Sequence, residues 1–399
     1  MTTTDIRHFR MDTPGTRYGI HLNNAGAALS PYPVIRAVQR HLDLEIQLGG
    51  YEAGAYNREA LQDFYPAVAQ LIGAKPRNIA YTANATDAFA RALLSIDFRS
   101  GDTILTTRDD YVSNHLAFLQ LRERRGINLQ IAESLPEGGV DPDAVRQLVG
   151  RKRPKLIAVT HMPTNSGLIQ DVVSVGQICR EMDILYLVDG CQTVGQLNLS
   201  VDDIGCDFFS ATFRKFLRGP RGTGFLYVSD RVLEGGAHPL FVDLHSARWT
   251  ADRAYEILPD ARRFELWERP YAFMAGAAAA ARYAQAVDPL QTEKRCLHLA
   301  DYLRQRLSDR TELQVMDRGA QKGAIVTIHI NDMAPGTLKR DLEERGIRSS
   351  LAFPEAARYD FAVKGVPWIL RWSPHYYNLE SEINQAVDAL FDLMDRVLQ

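Results

Sequence analysis

The stretch SATFRKFLRGPRGTGFLYV, residues 210–228, decides the fold. An apolar run ends at Thr212, Arg214 and Lys215 follow it directly, and a Gly-Pro-Arg-Gly-Thr-Gly turn leads into a second run over Gly224–Ser229. Open parallel sheets bind ligands beyond the carboxyl ends of their strands, which is where this reading puts Lys215. An amine held there can form an imine with a carbonyl compound. A loop lysine is more often a solvated surface charge, so the reading rests on what accompanies it.

Working outward, YLVDG ends in Asp189, an acidic residue at another strand end. A carboxylate in that position either caps the following helix or pairs with a protonated ring nitrogen and strengthens the ring as an electron sink. Further upstream, YTANATDAF sets Asn84, Ala85 and Thr86 between a strand and a helix. Backbone N–H groups and a hydroxyl converge there at the positive helix end, a geometry that suits phosphate. Short runs at Thr103–Thr106, Leu129–Ala132, Leu156–Thr160, Ile184–Asp189, Phe208–Thr212 and Gly224–Ser229 alternate with helical patterns, implying βαβ crossovers and a mostly parallel sheet.

The apolar spacing from Pro33 to Leu48 predicts an amphipathic helix, followed by a glycine-rich loop, GGYEAGAYNRE. Beyond Asp260 the texture changes. Helices are expected over Tyr271–Ala286 and Leu290–Leu307, strands over Ile325–Ile330 and Trp368–Trp372, and a helix over Leu338–Glu344 between them. The division that follows is an N-terminal arm over residues 1–20, a large cofactor-binding domain over 21–285, and a small α+β domain over 286–399.

Composition sets limits on function. The 399 residues are 46% hydrophobic and 24% charged, with a formal net charge of -3 and no long basic block, which speaks against a nucleic-acid partner. The alanine-rich stretch from Ala272 to Val287 is interrupted by Arg282 and falls short of the roughly twenty apolar residues a membrane span needs. The start, MTTTDIRHFRMD, does not read as a secretory signal, so a cytoplasmic location is expected. Cys179, Cys191, Cys206 and Cys296 lack C-x-x-C spacing, against both a disulfide framework and a metal site.

Taken in order, the strand–NAT–helix unit, the tyrosine after Asp109 and Asp110, VDGCQ and SATFRK resemble the class V aminotransferase family of pyridoxal 5'-phosphate enzymes, over nearly the whole chain from HLNNAGAALSP to LRWSPHYYN. The resemblance implies fold type I, an α/β architecture with a large, mostly parallel sheet domain and a smaller C-terminal α+β domain. It implies that Lys215 carries the cofactor as an imine and moves the α-proton. Ala85, Thr86, Thr212 and Arg214 would hold the phosphate, Arg214 standing where desulfurases have a histidine. Asp189 would pair with the pyridine nitrogen and Gln192 with the phenolic oxygen, while Tyr111 would stack on the ring where desulfurases place a histidine. Asn165 would sit near the imine. Arg371 would fork onto the substrate carboxylate, with Asn24 and Asn165 nearby; a guanidinium suits that bidentate task. Relatives imply a homodimer in which Arg221 and Thr223 reach the partner's phosphate site, and the segments LGGYEAGAY and HSARWTADRAYEILPDARRFELWE lie near the entrance.

The resemblance departs at one informative place. Desulfurases carry a nucleophilic cysteine on a mobile loop of the small domain, and the corresponding GIRSSLAFPEAARYDFA contains none. The expectation is therefore a C–S β-lyase, similar to the branch that includes hercynylcysteine sulfoxide lyase. It would cleave a cysteine thioether or sulfoxide conjugate to pyruvate, ammonia and a sulfur product. The rivals are an epimerase or racemase, similar to isopenicillin N epimerase, and an aminotransferase; a non-catalytic module is disfavoured because Lys215, Asp189 and Arg371 are all present.

Overall fold

Runs buried on both faces form the centre of the molecule. In the computed structural model, which describes residues 1–397, seven strands form one sheet in the order Ile79–Thr82, Gly224–Val228, Phe208–Thr212, Leu185–Asp189, Leu156–Thr160, Thr103–Thr106, Asn128–Ile131. Every neighbouring pair is parallel except those made by Gly224–Val228, which runs antiparallel to both its neighbours. A tight turn after Phe208–Thr212 can only return the chain antiparallel, whereas the other connections are long enough to cross over. All five residues of Leu156–Thr160 are buried. Successive side chains point to opposite faces, so Ile157 and Val159 enter one apolar cluster while Leu156 and Ala158 enter the other.

A second sheet has the order Leu313–Val315, Val326–Ile330, Ile369–Trp372, Ser350–Ala352, antiparallel throughout. Its cluster also takes in Leu22, Ala25 and Phe216. The segment Ile20–His21 pairs in parallel with Ile347–Arg348. The chain around residue 22 is thus packed with the C-terminal sheet, whereas the sequence division places it in the large domain. Apolar pattern alone does not say which of two cores a short strand joins.

The glycine-rich stretch expected to be a loop is helical, over Gly50–Tyr56 and Arg58–Gln62. Ala53 is fully buried, and a side-chain carbon added at Gly54 would lie 3.1 Å from the Tyr271 ring. Glycine here permits close packing against the helix Tyr271–Val287, and that packing outweighs its poor helix propensity. The segment expected to shape the entrance contains a hairpin, Ala247–Ala251 with Ala254–Ile257.

Two features hold the Lys215 loop. Arg218 has a left-handed backbone (φ 60°) and its N–H donates to the Lys215 carbonyl at 2.9 Å, closing a tight turn. Its buried guanidinium lies 4.5 Å from the Tyr377 ring centroid and donates to the Leu29 carbonyl, Thr13 Oγ1 and the Tyr376 hydroxyl. That one side chain ties the loop to the N-terminal segment and to the C-terminal domain. Beside it, the buried His375 accepts the Tyr376 N–H at Nδ1, so Nε2 donates to the Phe216 carbonyl at 2.9 Å.

Burial pushes the His375 imidazole well below its usual range, with the nearby Arg218 charge acting in the same direction. An unfolded histidine takes up a proton below pH ~6.5 that folded His375 refuses, so its share of stability is full above that value and lost as pH falls. His375→Gln keeps a donor for Phe216 without a titrating ring. The destabilisation it causes at neutral pH should shrink by about 1.4 kcal/mol for each pH unit below ~6.5. Thermal or denaturant unfolding of both proteins across this range measures it, and a difference that does not vary with pH refutes it.

Candidate active site

The ends of the large sheet's strands bring the candidate residues to one cavity, with an empty volume of about 650 Å³. Its lining includes Ala85, Thr86, Tyr111, Asp189, Gln192, Thr212, Arg214 and Lys215. At one side the helix Ala85–Leu94 begins, with Asn84 as N-cap accepting the Asp87 N–H at 2.9 Å. The first-turn N–H groups of a helix have no carbonyl within it to bond, so those of Ala85 and Thr86 are available to an anion. Gly224 makes this approach possible: a side-chain carbon there would lie 2.7 Å from the Asn84 carbonyl carbon and 2.8 Å from the Ala211 oxygen. Arg214, on the loop after Thr212, donates to the Gly26 carbonyl and makes no ion pair among the described residues.

Asp189 ends its strand buried in the cavity wall. Oδ1 accepts the Cys191 N–H at 2.9 Å and Oδ2 accepts from Asn114 Nδ2 at 3.1 Å. Burial raises its carboxyl above the ordinary range, while the Cys191 N–H, the Lys215 charge and Asn114 pull it down. Lys215 is buried as well, and burial lowers its ammonium against the opposing pull of Cys191 and Asp189. The shift favours the neutral amine, the form that can act as a base.

Arg371 extends from Ile369–Trp372 of the small sheet towards the same cavity. Its guanidinium donates to the Thr164 carbonyl at 3.1 Å, to Thr164 Oγ1, and to Asn23 Oδ1 at 3.3 Å. It has no carboxylate partner among the described residues, and Nε is buried without any partner. Burial, then the charge of Arg214, push it down to about 10. An ion pair among the described residues therefore does not account for it.

Two residues expected in the site, Asn165 and Asn24, are placed elsewhere. Asn165 does not line the cavity; its carbonyl accepts from Lys364 Nζ at 2.6 Å, and its neighbour Thr164 faces inward instead. Asn24 is fully buried and spent on the Ser373 carbonyl and the Tyr377 hydroxyl, while Asn23 reaches Arg371. Thr223 is buried, its hydroxyl donating to the Pro220 carbonyl at 2.6 Å, and the neighbouring Arg221 is exposed. For Asn165 and Asn24 the difference is a neighbour's side chain turned inward, which motif matching does not resolve.

Sequence reasoning missed Asn114, Thr160, Met162 and Thr164, all of which line the cavity. The available signal for Asn114 was its place four residues after Asp110, at the start of a helix, where side chains share a face. Gln192 donates to Thr164 Oγ1 at 3.0 Å and to the Ala25 carbonyl, leaving Oε1 buried and without a partner.

The donor set fits pyridoxal 5'-phosphate. A positive helix end with Arg214 suits the phosphate, Lys215 suits the aldehyde carbon, Asp189 suits the ring nitrogen, and Gln192 Oε1, buried without a partner, suits a hydroxyl of the ring.

The model for the family described as aminotransferase class-V matches residues 20–386. A probable cysteine desulfurase of Methanothermobacter thermautotrophicus is 28% identical, with 98% of each chain covered. A probable hercynylcysteine sulfoxide lyase of Mycobacterium tuberculosis is 25% identical, over 93% of this chain and 89% of that one. Among solved structures, the apo cysteine desulfurase of Thermococcus onnurineus NA1 superposes with a TM-score of 0.88 at 23% identity, covering 98% of each chain. The chain therefore belongs to the class V aminotransferase family, enzymes of fold type I that use pyridoxal 5'-phosphate.

Proposed function

We propose that this chain is a C–S β-lyase acting on a cysteine thioether or cysteine sulfoxide conjugate, with pyruvate, ammonia and a sulfur compound as products. The observation that carries this reading is where the thiols lie. The segment Gly346–Ala362, which corresponds to the desulfurase cysteine loop, contains no cysteine. Cys179, Cys206 and Cys296 are buried and free, and none of them lines the cavity. Cys191 does line it, but burial followed by the Asp189 charge pushes its thiol up, so it stays protonated and unsuited to accept sulfur. A sulfur group expelled from the substrate would then leave in solution. The relative named for a sulfoxide lyase supports this choice, and the desulfurase relatives support C–S cleavage in general.

When bound, the cofactor supplies an electron sink for the pair left at the substrate α-carbon. Lys215 would hold it and, displaced by the substrate amine, take the α-proton at Nζ, since burial favours its neutral form. Asp189 would keep the ring nitrogen protonated. Ala85, Thr86, Thr212 and Arg214 would hold the phosphate, Tyr111 would stack on the ring, and Gln192 would meet the phenolic oxygen. Arg371 would orient the substrate carboxylate, with Thr164 and Asn23 fixing the plane of its guanidinium.

A homodimer is part of the proposal. Ile46, Tyr51, Phe241 and Trp249 are large apolar side chains left exposed. They give a second copy a surface to cover, with Arg221 free to reach across.

Incubation in deuterated water with cysteine conjugates should yield pyruvate together with a freed thiol or sulfenate. Inversion of the α-centre or amino transfer without pyruvate would instead identify an epimerase or an aminotransferase. Borohydride treatment of the coloured protein should fix the cofactor to Lys215, and recovery of the adduct on any other residue would remove the lysine from its role.

For Arg371→Ala the expected effect is on substrate binding, a loss of about 2–5 kcal/mol seen chiefly in KM. Because the folded guanidinium titrates at about 10, its charge is present below that pH and lost above it. KM in the wild type should therefore climb as pH passes through about 10, and this climb should be absent from Arg371→Ala. Equal profiles for both proteins would count against the carboxylate role.

A further inference from the structure

Asn114 lines the cavity and Asp110 lies behind it, and neither was expected to have a role. Asp110 is buried and precedes the helix Val112–Arg125. Oδ2 accepts from Thr106 Oγ1 at 2.6 Å; Oδ1 accepts the Tyr111 N–H at 2.7 Å, Asn114 Nδ2 at 3.0 Å and the Thr160 hydroxyl. Asn114, one turn into the helix, is buried with its amide nitrogen between two carboxylates: Asp110 Oδ1, and Asp189 Oδ2 at 3.1 Å. That placement fixes which way the amide points. An oxygen in the nitrogen's place would face two acceptors, whereas the two N–H bonds satisfy both.

We propose that Asn114, anchored by Asp110, is a positioning residue that holds the Asp189 carboxylate in the ring-nitrogen orientation. The geometry supplies the reason. A buried carboxylate with one donor can rotate about its terminal torsion, which is broad and soft. Donors at both oxygens remove that freedom and leave the second lone pair of Oδ2 for the ring N–H. Burial raises the Asp189 carboxyl, and Asn114 is among the groups that lower it again, together with the Cys191 N–H and Lys215; Asp110 acts the other way. Asp110 also bonds the backbone N–H of Tyr111, so a single carboxylate places the group proposed to cover the ring and, through Asn114, the group proposed to meet its nitrogen.

The inference rests on Asp189 as the partner of the ring nitrogen and is independent of the choice between lyase, epimerase and aminotransferase. Two variants test it, Asn114→Ala and the nearly isosteric Asn114→Leu, which keeps the packing and removes the donor. Asp189→Ala provides the benchmark. Each holoenzyme is scanned for the pH midpoint of the cofactor's visible absorption band, and each is reloaded with pyridoxal 5'-phosphate to measure its dissociation constant. Both Asn114 variants should move the midpoint in the same direction as Asp189→Ala but less far. They should weaken cofactor binding and kcat by about tenfold each, the scale of one hydrogen bond to a charged group, with KM changed much less. The benchmark separates the two ways of failing. If Asp189→Ala alters the spectrum and the Asn114 variants match the wild type, Asn114 only caps its helix and the inference is overturned. If Asp189→Ala itself leaves the spectrum unchanged, the assignment of Asp189 falls, and this inference with it. Should Asn114→Ala fail to fold, Asn114→Leu alone decides.

Discussion

The cavity wall sets two basic side chains, Lys215 and Arg214, against one carboxylate, Asp189, and a third, Arg371, donates to the lining residue Thr164. Burying a charge without a partner is expensive, and ordinary proteins avoid it by pairing the charge or neutralising it. Neither arginine here is given a carboxylate. Both donate to neutral oxygens, Gly26 and Thr164 carbonyls among them, which orient a guanidinium without cancelling its charge. The cost is visible in Arg371, whose protonation is weakened by burial and by Arg214. A site of this kind is incomplete until anions enter, and it is specific because each anion meets a guanidinium already aimed. A phosphate and a substrate carboxylate are two anions of the required kind.

Keeping such a group of cations together requires stiff surroundings, and much of the fold serves that end. Lys215 lies on a loop between two adjacent strands whose ends are hydrogen-bonded to each other across the Thr212–Gly224 register. Arg218 then closes the turn beneath it and is clasped by Tyr376 and Tyr377 from the other domain. Arg371 comes from the small sheet and Lys215 from the large one. The cluster containing Leu22, Phe216 and Trp372 packs the two sheets' contributions together. Relative motion of the sheets would therefore change the distance between Arg371 and Lys215, and the shared core resists it.

Local runs and strand-end positions were legible because they follow from periodicities that tertiary structure seldom overrides. Strands over Thr103–Thr106, Leu156–Thr160 and Phe208–Thr212 have the bounds that the apolar runs imply. Lys215, Asp189, Arg214 and Thr86 line one cavity because each stands just past a strand end, a place that the order of elements dictates. Illegible were the features decided by contacts between distant segments. The helix at Gly50–Tyr56 packs closely on Tyr271, a contact that Gly54 eases and that its own sequence does not announce. The exchange of Asn165 for Thr164 and of Asn24 for Asn23 depends on which of two adjacent side chains turns inward, and that is set by Lys364 and Ser373, some two hundred and three hundred and fifty residues away in sequence.

What the thiols do decides between two fates for a sulfur atom leaving the substrate β-carbon. Transfer to the protein needs a thiolate within reach, because the thiolate and not the thiol is the nucleophile. Cys191, in the cavity wall, is held in the opposite state by the same feature that makes the site work. Burial is the first cause and the neighbouring Asp189 carboxylate the second, and both favour the neutral thiol. Lys215 pulls the other way, but burial dominates. A cofactor site with an ionised acid at this strand end therefore disarms a cysteine two residues later. Sulfur capture in this architecture would call for a cysteine brought in from elsewhere, and Gly346–Ala362 holds none, which is the basis for proposing that the sulfur product is released.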